Sequence, residues 1–384
     1  PISLPLHSMA PVHHCLLDDI VAVLRRLTVG TELEAVTPPM YGMDAPLGDT
    51  ELDSGQSVTA REQPVVVALA EELAASLDWS LKRPDRWGSQ RLASGRGVWT
   101  VAREAVNGTR SQTGIECASP KLRYSRLETV SAICRGLTAA GCTTNTRCGM
   151  HVHIGGLTPS ETLRLALFIY EWEECIYQIA GPIRRLSIEC RPLTLYYLTR
   201  LLRWGSSPTK DQLLYAALEA RDDEDVHRTY LKPELPRKYG LNLCALKVHG
   251  TAELRYFPAT LNGDLAEATV RMCMHIAATA SLQEPRVARR RTHLAVEQMF
   301  ETIALSDADA AALWPLEKRR AAHAWNLRRT TAQRAEADQI AACTSSPRGP
   351  MGQALAHLTS QHVASVATQL LIAPSVPPDG DYGD

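Results

Sequence analysis

Residues 145–156 read NTRCGMHVHIGG. The alternation His151, Val152, His153, Ile154 places both imidazoles on one face of a strand and both aliphatic groups on the other. Gly155–Gly156 ends that strand, so a strand is predicted over 145–155. Upstream, VGTELEAV (29–36) alternates at the same period and puts Glu32 and Glu34 on one face, and the prolines at 38 and 39 bar a helix. Downstream, TAELRYF (251–257) puts Glu253 and Arg255 on one face. Three strands, each with a polar pair at i and i+2, point to an α+β class in which one sheet face carries the chemistry.

The chain between these strands supplies the rest of the layers. Helical spacing of Val65, Val66, Val67, Leu69, Ala70, Leu73 and Leu77 predicts a helix over 61–80, followed by a Gly/Arg-rich loop to about residue 97. Strands over 98–106 and 113–118, joined by NGTRSQ, predict a hairpin that carries Glu104 and Glu116. Ser125 with Glu128 reads as a capping box for a helix that Gly141 closes. Thr158 with Glu161, and Pro159 at the first helical position, opens a longer helix with Leu165, Ile169, Trp172, Ile176 and Ile179 on its apolar face, stopped by Gly181–Pro182. RDDEDVHR (221–228) reads as an exposed loop. A strand over 241–246 and the turn His249–Gly250 precede the last strand, and Asp264 and Glu267 are expected to cap the next helix. The Arg-rich stretch 282–340, interspersed with Glu297, Glu317 and Glu336, reads as solvated helix faces. The expected organisation is an N-terminal extension (1–27), a core (28–262) with a helical insertion around 158–230, a C-terminal helical region (263–373) and a disordered tail (374–384).

Composition narrows the function. The 384 residues carry 41 Lys+Arg against 42 Asp+Glu, a net charge of -1, which offers no basic field for nucleic acid or an anionic membrane. Ten scattered cysteines without C-x-x-C pairs fit a reducing, cytoplasmic setting, and no run approaches the roughly 18 apolar residues of a membrane span. Small-molecule chemistry is the expectation.

Carboxylates that converge on one face raise one another's pKa unless cations neutralise them, and an oxygen-rich set suits Mg²⁺ better than zinc. Metal-held phosphates beside an arginine are what phosphoryl transfer requires. The segment KPELPRK (232–238) offers further cationic contacts, whereas a P-loop and a G-x-G-x-x-G are both absent. Two other readings use the same residues: a zinc hydrolase built on His151 and His153, with His249 as a third imidazole, and a binding module without turnover.

The series GTELE (30–34), WTVAREAV (99–106), GIECASPKL (114–122), NTRCGMHVHIGG (145–156), RKYGLNLCAL (237–246) and HGTAELRYFPATL (249–261) resembles the amidoligase family, a relative of glutamate-cysteine ligase and glutamine synthetase. The resemblance covers about residues 28–262. It implies a twisted antiparallel sheet of about six strands, curved into a glutamine-synthetase-like funnel, that binds ATP and two or three Mg²⁺ ions. It also implies the reaction: a small-molecule or peptide carboxylate is phosphorylated and an amine displaces the phosphate. By the same resemblance Glu32, Glu34, Glu104, Glu116 and Glu253 match metal ligands, and one of His151 and His153 matches a nucleotide and metal histidine. Arg237, Tyr239 and Asn242 border the nucleotide, and Arg255, Glu253 and Glu34 carry catalysis. Glu104 departs from the aspartate usual in its strand, and Lys121 stands where an apolar residue or proline is usual.

Overall fold

In a computed structural model, residues 12–39, 63–86, 88–104, 112–219, 235–288, 290–292 and 295–319 are described. The first half runs α1 (Val12–Arg26), β1 (Thr28–Val36), α2 (Gln63–Leu77), β2 (Ser80–Lys82), β3 (Gln90–Ala93), β4 (Val98–Arg103), β5 (Gly114–Ala118), α3 (Glu128–Ala139) and β6 (Gly149–Gly155). Next come α4 (Pro159–Ala180), α5 (Pro182–Leu186), α6 (Leu195–Leu202), α7 (Lys210–Glu219), β7 (Leu241–Asn242), α8 (Ala245–Val248), β8 (Ala252–Pro258), α9 (Gly263–Leu282), α10 (Val296–Thr302) and α11 (Asp307–Leu313). Two compact units divide at 314/315, Pro1–Trp314 and Pro315–Asp384, and every element named here belongs to the first.

The strands form one antiparallel eight-stranded sheet in the order β2-β3-β4-β5-β1-β6-β8-β7. β1 lies inside it, paired to β5 on one side and β6 on the other. Its alternation is visible as burial: Val29, Thr31, Leu33 and Ala35 are buried, while Gly30, Glu32 and Glu34 are only partly covered. The apolar face, with Trp99, Val101, Ile115, Cys117, Val152, Ile154 and Leu254 buried, packs against helices. α2 lies on β3 and β4, α9 on β1 and β6, and α4 on β8. Each fully buried Leu, Ile or Val contributes about 1.5–3 kcal/mol relative to exposure, so this layer holds the sheet that presents the polar face.

The antiparallel α+β class is as expected, but the strand count is eight and not about six. β2 and β3 arise where a loop was expected. β2 is exposed throughout; in β3 burial alternates, with Gln90 and Leu92 inside, and the neighbouring Arg and Gly residues masked that short pattern. The strand expected over 241–246 is only Leu241–Asn242; the chain then turns into α8, which buries Ala245 and Leu246. The Ser125–Glu128 box does not form, because Ser125 sits inside a 3₁₀ turn and Leu127 precedes α3 without a side-chain cap. Gly141, with φ +72°, closes α3 as expected. The Thr158–Glu161 box forms in full. Asn262, not Asp264, caps α9, accepting from the amides of Asp264 and Leu265. Arg290 and Arg291 are not simply solvated: they pair with Glu173 and Glu171 of α4. Residues 105–111, the RDDEDVHR loop, 320–340 and the tail lie outside the described residues. Among the described residues, no helix is long and apolar enough to cross a membrane.

Candidate active site

Sheet register brings the sequence-predicted residues together in pairs. Glu34 stands opposite Glu116 across β1 and β5, Glu32 opposite His151 across β1 and β6, and Glu253 opposite both His153 and Asn242. Glu104, immediately after β4, bonds through its amide to the Gly114 carbonyl, and its charge acts on Glu116. Five carboxylates and two imidazoles from five segments therefore address one site.

His151 is the hub. Its Nδ1 lies 3.1 Å from Glu32 Oε2 and 3.6 Å from Glu253 Oε1, and its Nε2 lies 4.0 Å from Glu34 Oε1. The tautomer with the proton on Nδ1 donates it to Glu32. His153 Nδ1 meets the Thr251 hydroxyl at 3.0 Å. Its Nε2 is buried 3.2 Å from Glu32 Oε1 but lacks the alignment of a hydrogen bond. One ligand atom each from Glu32, His153 and Glu253 lies within 4.8 Å of the other two. A ring nitrogen fixed through Nδ1 and left unmatched at Nε2 beside two carboxylates is the arrangement a metal-ligating histidine requires. The donor set fits a divalent cation.

Electrostatics lead to the same conclusion. Burial, then the charges of Glu32, Glu104, Glu34 and Glu253, push the Glu116 carboxyl up to about 8. Burial also works to raise Glu32, but His151 and His153 outweigh it and hold that carboxyl well below the usual range. His153 is raised despite its burial, because Glu32 and Glu253 favour the imidazolium.

Glu253 is held on both oxygens. Asn242 Nδ2 donates to Oε2, and Arg255 Nη1 donates to Oε1, each at 2.5 Å. Arg255 and Glu253, placed on one face by their spacing, are paired in the structure, since two residues apart on that face their charged ends meet. A third contact runs from Arg255 Nε to the Glu189 carbonyl at 3.3 Å. Asn242 thus reaches the acid cluster directly. Its motif partners do not: Tyr239 is buried against the Tyr197 ring, with centroids 4.8 Å apart, and Arg237 is exposed. Lys238 pairs with Glu189, and Lys121 is exposed. The ring of His249, itself exposed, meets His153 edge-on at 5.3 Å.

Three residues at the site escaped the sequence reading. Thr251 orients His153, although it stood inside a quoted motif. Gly149 donates its amide to Glu34 Oε2 at 2.5 Å, and a Cβ there would lie 3.0 Å from His151 Nε2 and 3.4 Å from Glu34 Oε2. Arg184 approaches from α5, within 3.5 Å of the same point. The signal for Gly149 was the glycine that opens the H-x-H strand. Nothing local in GPIRR marked Arg184.

A search of curated protein sequences returned no match. Among solved structures, the chain aligns with a bifunctional glutathione synthetase from Pasteurella multocida at 9% identity and a TM-score of 0.31, covering 78% of this chain and 48% of that one. The chain thus spans about half the length of that synthetase. A family profile described as "Putative amidoligase enzyme" matches residues 25–277, a span from the end of α1 into the second half of α9 that contains every site residue described above. By that match over more than half its length, the chain belongs to the amidoligase family.

Proposed function

We propose that this chain is an ATP- and Mg²⁺-dependent carboxylate–amine ligase that works through an acyl phosphate. The observation that carries the reading is the acid cluster itself: Glu32, Glu34, Glu116 and Glu253 share one sheet face, where burial and then the charges of the neighbouring acids push the Glu116 carboxyl up to about 8. Glu32, Glu34, Glu116 and Glu253 would hold Mg²⁺, together with Glu104, whose charge acts on Glu116, and with His153 beside them. Bound there, the metal supplies charge neutralisation and a clamp on phosphate oxygens.

The chain's own residues do the rest. His151 fixes the Glu32 carboxylate, Thr251 fixes His153, and Asn242 fixes Glu253. Arg255, anchored by Glu253 and Glu189, stabilises the phosphoryl group in transfer. An oxygen of the substrate carboxylate attacks the γ-phosphorus and ADP leaves. The amine nitrogen then attacks the acyl carbonyl, inorganic phosphate departs, and the nitrogen loses its proton to leave the amide.

A screen of acid and amine libraries with ATP and Mg²⁺, read by phosphorus NMR, tests the reading. ADP and phosphate are expected. AMP with pyrophosphate, or no nucleotide consumption with any pair, would remove it. The Glu32–His153–Glu253 set also resembles a zinc site, and zinc-stimulated hydrolysis without nucleotide would favour the hydrolase instead.

The same electrostatics predict how stability responds to pH. Glu116, raised to about 8, binds more protons folded than unfolded between its ordinary value of 4.5 and about 8. Its contribution therefore falls as pH rises through that window. His153, also raised, stabilises the fold below 6.5 and loses that contribution at higher pH. Glu32 shifts the other way, but its change is complete at lower pH. Chelator-treated protein should therefore melt at a lower temperature at pH 8.5 than at pH 6, and Mg²⁺ should raise Tm more at the higher pH. Scanning calorimetry in the two buffers checks this; a Tm gain from Mg²⁺ that is equal at both pH values argues against the acid cluster as its site.

A further inference from the structure

The register between β6 and β8 slips once, between Met150 and Val152. Met150 pairs with Phe257 and Val152 with Leu254, so Arg255 and Tyr256 together stand opposite the single residue His151. This is a β-bulge, a device that bends a strand and re-aims its side chains. It lies at the position from which Arg255 reaches the acid cluster.

The bulge is locked from outside the sheet. Arg184, buried in α5, donates from Nη2 to the Arg255 carbonyl at 2.6 Å and from Nε to the Tyr256 carbonyl at 3.2 Å. The Arg255 amide bonds to the Gly240 carbonyl at 2.7 Å. Gly240 has no alternative residue here: a Cβ at that position would lie 2.1 Å from Tyr256 Cε1. On the opposite face the Tyr256 hydroxyl donates to Glu173 Oε1 of α4 at 2.8 Å. The Arg184 carbonyl in turn accepts from the Cys190 thiol at 2.9 Å. A buried guanidinium spent on two adjacent carbonyls of one bulge fixes backbone, and the side chain whose backbone it fixes is Arg255.

We propose that Arg184 is a positioning residue: by bridging the Arg255 and Tyr256 carbonyls it freezes the β8 bulge in the geometry that directs Arg255 at the phosphoryl group. The inference rests on the ligase reading for the task of Arg255, whereas the bulge lock itself stands on geometry alone. A lysine at 184 keeps the charge but has no planar fork with which to hold two carbonyls at once. A displacement of about 1 Å at a reacting group costs on the order of 10²-fold in rate.

The experiment uses the full chain with Arg184→Lys, Arg255→Lys and the double variant. Amide exchange across 252–258 should rise by about tenfold or more in Arg184→Lys, with exchange in β1 and β5 unchanged. Its kcat should fall by about 10- to 100-fold, with the ATP KM within about threefold of wild type. Because Arg184 acts through Arg255, the double variant should lose no more than Arg255→Lys alone. Additive losses would overturn the proposal, because Arg184 would then act independently of Arg255. Unchanged exchange in β8 would overturn it as well. If the wild-type chain consumes no ATP with any acid and amine, the ligase reading falls, and the exchange result alone decides the bulge lock: a rise confined to β8 keeps it, and no rise removes it.

Discussion

Glu32→Gln should abolish ATP turnover, by about 10³-fold or more, while circular dichroism stays that of the wild type. Glutamine matches glutamate in shape and keeps one acceptor oxygen, so the variant chiefly removes a charge. The tautomers of His151 and His153 can readjust to an amide at this position, because each ring nitrogen can either donate or accept. What cannot readjust is cation binding, since Glu32 belongs both to the three-donor set and to the cluster that raises Glu116. Losing one anionic ligand of a catalytic metal removes the charge stabilisation that phosphoryl transfer depends on. Glu253→Gln should be as inactive, for a second reason in addition. Its new amide group would face Asn242 Nδ2 or Arg255 Nη1, both donors, leaving a buried donor pair unmatched. If Glu32→Gln retains its wild-type rate, the metal assignment is wrong, whatever Glu253→Gln does.

Arg255→Lys should lower kcat by roughly 10²-fold while the ATP KM changes much less. Arg255 now holds Glu253 Oε1 with Nη1 and the Glu189 carbonyl with Nε. Among the described residues the third guanidinium nitrogen, Nη2, makes no hydrogen bond, on a group already aimed at the acid face. A lysine could keep the ion pair with Glu253, but it has no second, fixed donor in the same plane. A contact made mainly in the transition state costs rate more than affinity when it is lost, and single electrostatic contacts of this kind are worth about 10²–10³ in rate. Steady-state kinetics over ATP concentration decide it. A variant with wild-type kcat and a raised KM would make Arg255 a ground-state binding residue.

The legible part of the site is the part encoded at period two. Glu32/Glu34, His151/His153 and Glu253/Arg255 could each be placed on one face because a strand fixes the direction of every second side chain. The cross-strand partners were not legible, because register between segments 115 or 119 residues apart leaves no local trace. Burial split the remaining motif: Asn242 follows the strand direction onto Glu253, while Tyr239, before the strand begins, drops into the core on Tyr197. β2 and β3 were missed because strands of three and four residues give too few alternations to stand out from a polar loop. The bulge was invisible for a different reason. A one-residue slip changes no residue type, and Arg184, which holds it, lies about 70 positions away.

The interior position of β1 has a consequence for how the molecule comes into being. β1 leaves the ribosome ahead of both its partners, and it must wait for β5, which begins at Gly114, and β6, which begins at Gly149, before either edge can be paired. Through that interval a nine-residue strand with an apolar face and two open edges is exposed in the nascent chain. Contacts so distant in sequence slow folding and expose such edges to association. Glu32 and Glu34 lie within that strand and give its polar face two negative charges when ionised in the unfolded chain, the kind of residue that discourages edge-to-edge pairing between chains. The acids that address the site would then also guard the nascent strand, and a neutral pair at these positions would be expected to lower the yield of soluble chain during synthesis at 37 °C more than it lowers the stability of protein already folded.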